Sequence, residues 1–114
     1  MTSARRQLGA HGEDRVAAWY EAHGYSVADR NWRCRQGELD LVARRRGVVV
    51  FCEVKTRSST AFGAPVEAVT RTKQARLRVL AARWLEDSPV AAREIRFDVA
   101  SVLEGKVEVL EGAF

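Results

Sequence analysis

Three residues near the middle of the chain have the types and spacing for metal-assisted phosphate chemistry: Asp40, Glu53 and Lys55. Residues 37–45 and 48–55 read as two strands rich in Val and Leu, and the Arg46-Gly47 pair between them supplies a two-residue hairpin turn. Such a turn pairs residue 45 with 48, so Asp40 falls opposite Glu53 and Glu38 opposite Lys55. A three-residue turn would reverse the parity and send Asp40 and Glu53 to opposite faces. Side chains alternate along a strand, so Glu53 and Lys55 share a face with Val49 and Phe51. Two carboxylates opposed across a strand pair, with Cβ atoms about 5 Å apart, repel one another. A divalent cation, Mg2+ or Mn2+, removes that repulsion by taking both as oxygen ligands. Lys55 reaches the same space, where an ammonium can hold a phosphate oxygen or help activate a water.

A Glu-x-Lys triplet alone is common and carries little weight. Its surroundings give it weight: an opposed Asp, an apolar strand leading into Glu53, and a basic neighbourhood. A further acid, Glu13, lies on the helical face of Gly9, Val16, Ala17 and Tyr20, which points it at the sheet as a third metal-ligand candidate. The bland alternative for Glu13 is an edge position or a pairing with an Arg. Lys73 and Gln74 stand one turn before Leu77, at the N-terminal end of a second helix, where the helix dipole favours phosphate. With Arg33, Arg35, Arg57 and Arg76 they are the candidate nucleic-acid contacts. His11 and His23 read as surface residues, and Asp98 as the partner of a neighbouring Arg.

The elements that must position these groups follow from periodicity and punctuation. Residues 2–23 read as a helix closed by Gly24, 25–32 as a strand, and 56–64 as a loop of Ser, Thr and Gly. Pro65 opens a short turn, and 70–86 form a second helix with the stripe Lys73, Leu77, Leu80, Ala81, Trp84 and Leu85. Ser88-Pro89 breaks the chain. Strands follow at 95–103 and 106–110, turned by Glu104-Gly105. The order is helix, three strands, helix, two strands: an α/β fold with a mixed sheet of about five strands flanked by helices.

At 114 residues and 46% hydrophobic, the chain suits one domain with a core that needs no staples. No apolar run reaches the roughly 18 residues of a membrane span, and the N-terminus has no apolar signal-peptide core. Cys34 and Cys52 lack the spacing of a zinc site, and nothing points to an oxidising compartment, so the expected location is the cytoplasm. The net charge of +4 is unevenly spread: residues 30–83 carry thirteen Lys or Arg against four acids, a balance of +9, and the two ends together carry −5. A basic middle suggests an anionic partner, although a solvated Arg-rich surface has the same composition. Three of the four acids in that middle are Glu38, Asp40 and Glu53.

These residues also carry a resemblance. Gly12-Glu13, Asn31-Trp32-Arg33, Gly37-Glu38-Leu39-Asp40-Leu41-Val42, Val50-Phe51-Cys52-Glu53-Val54-Lys55-Thr56-Arg57, Lys73-Gln74 and Arg96-Phe97-Asp98-Val99 resemble the YraN family of small bacterial proteins. That family looks like a branch of the PD-(D/E)xK nuclease superfamily, close to archaeal Holliday-junction resolvases. The resemblance implies a restriction-endonuclease-like fold and matches Asp40 and Glu53 to metal-binding acids, Lys55 to the catalytic lysine and Glu13 to the N-terminal helix acid. The superfamily's proline before the aspartate is Leu39 here. It further implies a Mg2+-dependent endonuclease acting on DNA, branched or repair intermediates included, and a homodimer where a junction presents two symmetric cuts. The alternative is a non-catalytic nucleic-acid binder that keeps the nuclease fold.

Overall fold

The computed structural model describes residues 3–57 and 65–114. The elements are α1 (Ser3–Ala22), β1 (Ser26–Cys34), β2 (Gly37–Arg45), β3 (Val48–Arg57), a 3-10 turn (Pro65–Ala68), α2 (Arg71–Asp87), β4 (Glu94–Leu103) and β5 (Lys106–Leu110). They build one five-stranded sheet in the order β1-β2-β3-β4-β5, and this is the α/β arrangement expected from periodicity. Among the described residues no helix is long and apolar enough to cross a membrane.

The β2–β3 turn has the geometry its residues permit. Arg46 and Gly47 both have positive φ, 50° and 82°, as a two-residue type I′ turn requires. Arg93 clamps it from β4's side, its backbone N–H donating to the Gly47 carbonyl at 2.8 Å and its guanidinium to the Arg46 carbonyl at 3.0 Å. The register therefore runs from Arg45↔Val48 to Leu41↔Cys52. Glu104 and Gly105, with φ of 51° and 80°, repeat the device between β4 and β5. Strands β3 and β4 are parallel, which demands a crossover, and α2 lies in that connection.

The two helices cover opposite faces. Val16, Ala17 and Tyr20 of α1 pack on Leu41, Ala43, Val50, Cys52, Ala100 and Val102. Leu77, Leu80, Ala81 and Trp84 of α2 pack on Val42, Val49, Phe51, Phe97 and Val99. Covered on both sides, β3 is a nearly continuous apolar run rather than an alternating one, and each of its buried apolar side chains contributes roughly 1.5–3 kcal/mol.

One place breaks the alternation. Leu39 and Leu41 are two residues apart on β2, yet Leu39 belongs to the α2-side core and Leu41 to the α1-side core. The switch lies opposite Asn31, which has φ of 51°; the β1–β2 register passes from Arg30↔Leu41 to Trp32↔Leu39 around it. The β2–β3 ladder ends at the same level, with Leu41↔Cys52 as its last pair. Asp40 sits at that twist, where β2 and β3 part.

Several boundaries differ from the sequence reading. β1 continues to Cys34 and β3 to Arg57, because the partners Gly37 and Leu103 extend the pairing that far. Thr56 and Arg57 thus leave the expected loop, and residues 58–64 lie outside the described residues, as do the surroundings of Gly9. Thr70 caps α2 rather than beginning it, its hydroxyl accepting the Lys73 N–H at 3.2 Å.

Candidate active site

The hairpin delivers Asp40 and Glu53 to the same cleft, but not by the simple opposition that the turn implies. The ladder stops one pair short of them. In its place the Asp40 carboxylate reaches across and accepts the backbone N–H of Val54 at 2.9 Å. A side-chain oxygen therefore takes the place of a strand carbonyl, which fixes Asp40 beside Glu53. Glu38, expected opposite Lys55, instead pairs with Arg33 of β1 at 3.4 Å, since beyond the twist β2 follows β1 and not β3.

Glu53 is 6% exposed, one of two charged side chains buried among the described residues. A carboxylate buried to that extent needs compensation. Two ammonium groups supply it at the same oxygen: Lys55 Nζ at 3.3 Å and Lys73 Nζ at 2.5 Å. Lys55 comes from the strand itself. Lys73 comes from the first turn of α2, where the Thr70 cap anchors its backbone and the Gln74 amide donates to the Val69 carbonyl at 3.1 Å. Burial opposes the Lys73 charge, but the Glu53 carboxylate outweighs burial and holds the ammonium above its ordinary pKa.

Among the described residues no Lys or Arg forms an ion pair with Asp40 comparable to those on Glu53. Burial, then the neighbouring Glu53 charge, push its pKa up to about 7, against the pull of the Val54 N–H. Glu13 stands on α1 within electrostatic reach of Asp40. Its own pKa is raised by burial, with a hydrogen bond from Asn31 working the other way. Gly12 makes that approach possible: a Cβ there would lie 2.0 Å from the Thr56 hydroxyl oxygen, so α1 rests directly on β3 just before Glu13.

The expected ligand set is only partly gathered. Among the described residues no three of His, Cys, Asp and Glu come close enough to hold a metal ion together. Asp40 and Glu53 are neighbours, and Glu13 stays back on Asn31. Two hard-oxygen carboxylates still fit Mg2+, which binds through one or two carboxylates and keeps waters or phosphate oxygens for the rest.

The expected nucleic-acid contacts separate into three situations. Arg35, in the β1–β2 turn, and Arg76, on α2, are exposed, and Arg33 is largely exposed while paired to Glu38. Arg57 is half-buried and lines a cleft of about 300 Å³ with His11, Gly12, Arg15 and Thr56. Lys73 and Gln74 are turned inward, one to Glu53 and the other to Val69. Sequence reasoning gave Lys73 to phosphate and missed its place beside Glu53. The signal was present, because Lys73 opens the same i, i+4 stripe as Leu77 and so faces the sheet.

A family model described as Uncharacterised protein family UPF0102 matches residues 12–102, a span holding Glu13, Asp40, Glu53, Lys55 and Lys73. The chain belongs to the UPF0102 family. A UPF0102 protein of Beutenbergia cavernae is 56% identical over 114 residues, covering 96% of this chain and 97% of its own length. One from Frankia alni is 51% identical over 116 residues, covering 97% of each chain. Another, from a Nocardioides species, is 50% identical over 99 residues, or 87% of this chain and 80% of its own. The UPF0102 match thus runs from the middle of α1, through β1–β3 and α2, into β4.

Proposed function

We propose that this UPF0102 protein is a Mg2+- or Mn2+-dependent phosphodiesterase that cuts DNA in the cytoplasm, with branched or repair intermediates among its substrates, on the PD-(D/E)xK nuclease plan. The observation that carries the reading is the buried Glu53 beside a second acid, Asp40, with two ammonium groups on it at the parting of β2 and β3. Asp40 and Glu53 would hold the metal, which supplies polarisation of the scissile phosphate and a more acidic attacking water. Lys55, fixed on β3 at 3.3 Å from Glu53, presents positive charge where the phosphate oxygens gather negative charge. The exposed Arg33, Arg35 and Arg76 would grip phosphates without reading bases.

The test is single-turnover cleavage over a panel of DNA and RNA structures with Mg2+ or Mn2+, alongside metal titration. Asp40→Ala and Glu53→Ala are expected to lower the rate by at least about 100-fold and to weaken metal binding, with DNA affinity kept or improved. Lys55→Ala keeps metal binding and loses on the order of 100-fold in the chemical step. Affinity should fall steeply with salt, as counterion release requires. Wild-type activity in Glu53→Ala would assign the cutting to another site. No cutting of any substrate with either metal would leave a nucleic-acid-binding protein that keeps the fold.

A further inference from the structure

The site is neutralised from within. Its two carboxylates face two ammonium groups, and the tighter contact to Glu53 comes from the helix lysine and not from the strand lysine. Lys73 Nζ is at 2.5 Å and Lys55 Nζ at 3.3 Å from the same oxygen, Oε2. The two lysines differ in freedom as well. Lys55 is 22% exposed and grows from the part of β3 that pairs with β4 alone, whereas Lys73 is 34% exposed, at the first turn of a helix. Its backbone is pinned by Thr70, while the four rotatable bonds of its stem give the ammonium other positions to take.

We infer that Lys73 is a built-in competitor for the metal: its ammonium holds Glu53 in the metal-free protein and must leave that carboxylate before a divalent cation is bound there. This rests on the metal reading of the site and adds its regulation. A cation cannot share Glu53 Oε2 with an ammonium at hydrogen-bond distance, because the two like charges would stand about 3–4 Å apart in a partly desolvated cleft. Loading the metal therefore releases Lys73, and the released ammonium lies over the site, free to meet a phosphate oxygen. Metal and phosphodiester each draw the site toward the same arrangement, so by linkage each favours the other. The inward position of Lys73 and its expected role in phosphate binding are then two states of one side chain.

The experiment is Mg2+ titration of the full chain by calorimetry without nucleic acid, with the Mg2+-dependent shift in melting temperature as a second readout. Lys73→Gln removes the competing charge and is expected to bind Mg2+ about three- to tenfold more tightly than wild type. Lys73→Arg keeps a cation on the carboxylate and is expected to stay near wild type. Glu53→Gln loses the binding and shows that the heat comes from this site. Equal or weaker Mg2+ binding by Lys73→Gln, with wild type binding and Glu53→Gln not, overturns the competitor role and leaves the metal reading standing. Absence of Mg2+ binding in wild type and Lys73→Gln alike, in protein that melts cooperatively, overturns both.

Discussion

Glu53 and Asp98 are the two buried charged side chains among the described residues, and they sit one residue out of register on adjacent parallel strands. Their surroundings are opposite. Asp98 faces α1 and is fully satisfied by fixed groups: Arg96 donates to both oxygens at 2.9 and 3.0 Å, Tyr20 O–H donates at 2.6 Å, and the Gly112 N–H donates at 3.0 Å. Glu53 faces α2, has a second acid beside it, and is balanced by two long side chains at a cleft. A buried acid with four short donors is a fastener: it ties α1, β4 and the C-terminal segment together. A buried acid held by two partly exposed lysines and crowded by a like charge has a less complete set of fixed partners. The difference lies in the partners and not in the degree of burial.

Breaking the fastener should have the largest effect on stability. Asp98→Ala leaves the Arg96 guanidinium and the Tyr20 hydroxyl without their acceptor and is expected to cost about 3–5 kcal/mol in urea unfolding. Glu53→Gln, tested beside it, should change stability by no more than about 1 kcal/mol, since it relieves repulsion from Asp40 while losing its lysines. Equal losses in the two variants would erase the distinction drawn between them.

Asp40→Asn sharpens the same comparison through pH. The folded-state pKa of Asp40 is raised to about 7 from 3.8, so ionising it in the folded protein is penalised. The stability it preserves is fully present below about pH 4, where folded and unfolded chains both carry the proton, and is lost as pH rises through 7. Asn keeps an oxygen for the Val54 N–H and removes the charge. The variant should gain on the order of 2 kcal/mol over wild type at pH 8 and little at pH 4, without metal. A gain that does not depend on pH would contradict the assignment.

Gly12→Ala tests how Glu13 is positioned. Mid-helix Ala is favoured over Gly by about 1 kcal/mol, yet here its Cβ meets Thr56, an overpacking that costs typically 1–3 kcal/mol. A net loss of about 1 kcal/mol is expected in a thermal melt, with partial recovery in the Gly12→Ala, Thr56→Ala double variant. A more stable Gly12→Ala protein would mean that α1 does not rest on β3 there. The smallest effect is that of Tyr20→Phe, about 1 kcal/mol from one lost donor to Asp98, with no change in Mg2+ affinity.

Short-range pattern was enough for the hairpin. Arg46-Gly47 allows positive φ at two successive positions, and that sets the register from Arg45↔Val48 to Leu41↔Cys52, the last pair before Asp40 and Glu53. The same local logic marked α1, α2 and the Glu104-Gly105 turn, and gave Asp98 a neighbouring Arg as its partner, which the structure shows to be Arg96. Such features depend on residues within one turn or one strand pair, where spacing and geometry are nearly the same thing.

Contacts between distant segments were decided by packing. The face switch at Asn31, the ladder ending at Cys52 and the Asp40 bond to Val54 arise because β2 must follow β1 on one side and β3 on the other, a conflict no single strand encodes. Lys73 reaches Glu53 only because the parallel β3–β4 pairing obliges α2 to cross over this face of the sheet. Tyr20 reaches Asp98 only because Gly12 lets α1 down onto β3. The sequence determined which residues carry charge and, away from the switch at Asn31, which face of its own element each one takes. Only the tertiary structure decided which charges share a buried space, because burial is a property of the elements that close over a residue and not of the residue's neighbours in the chain.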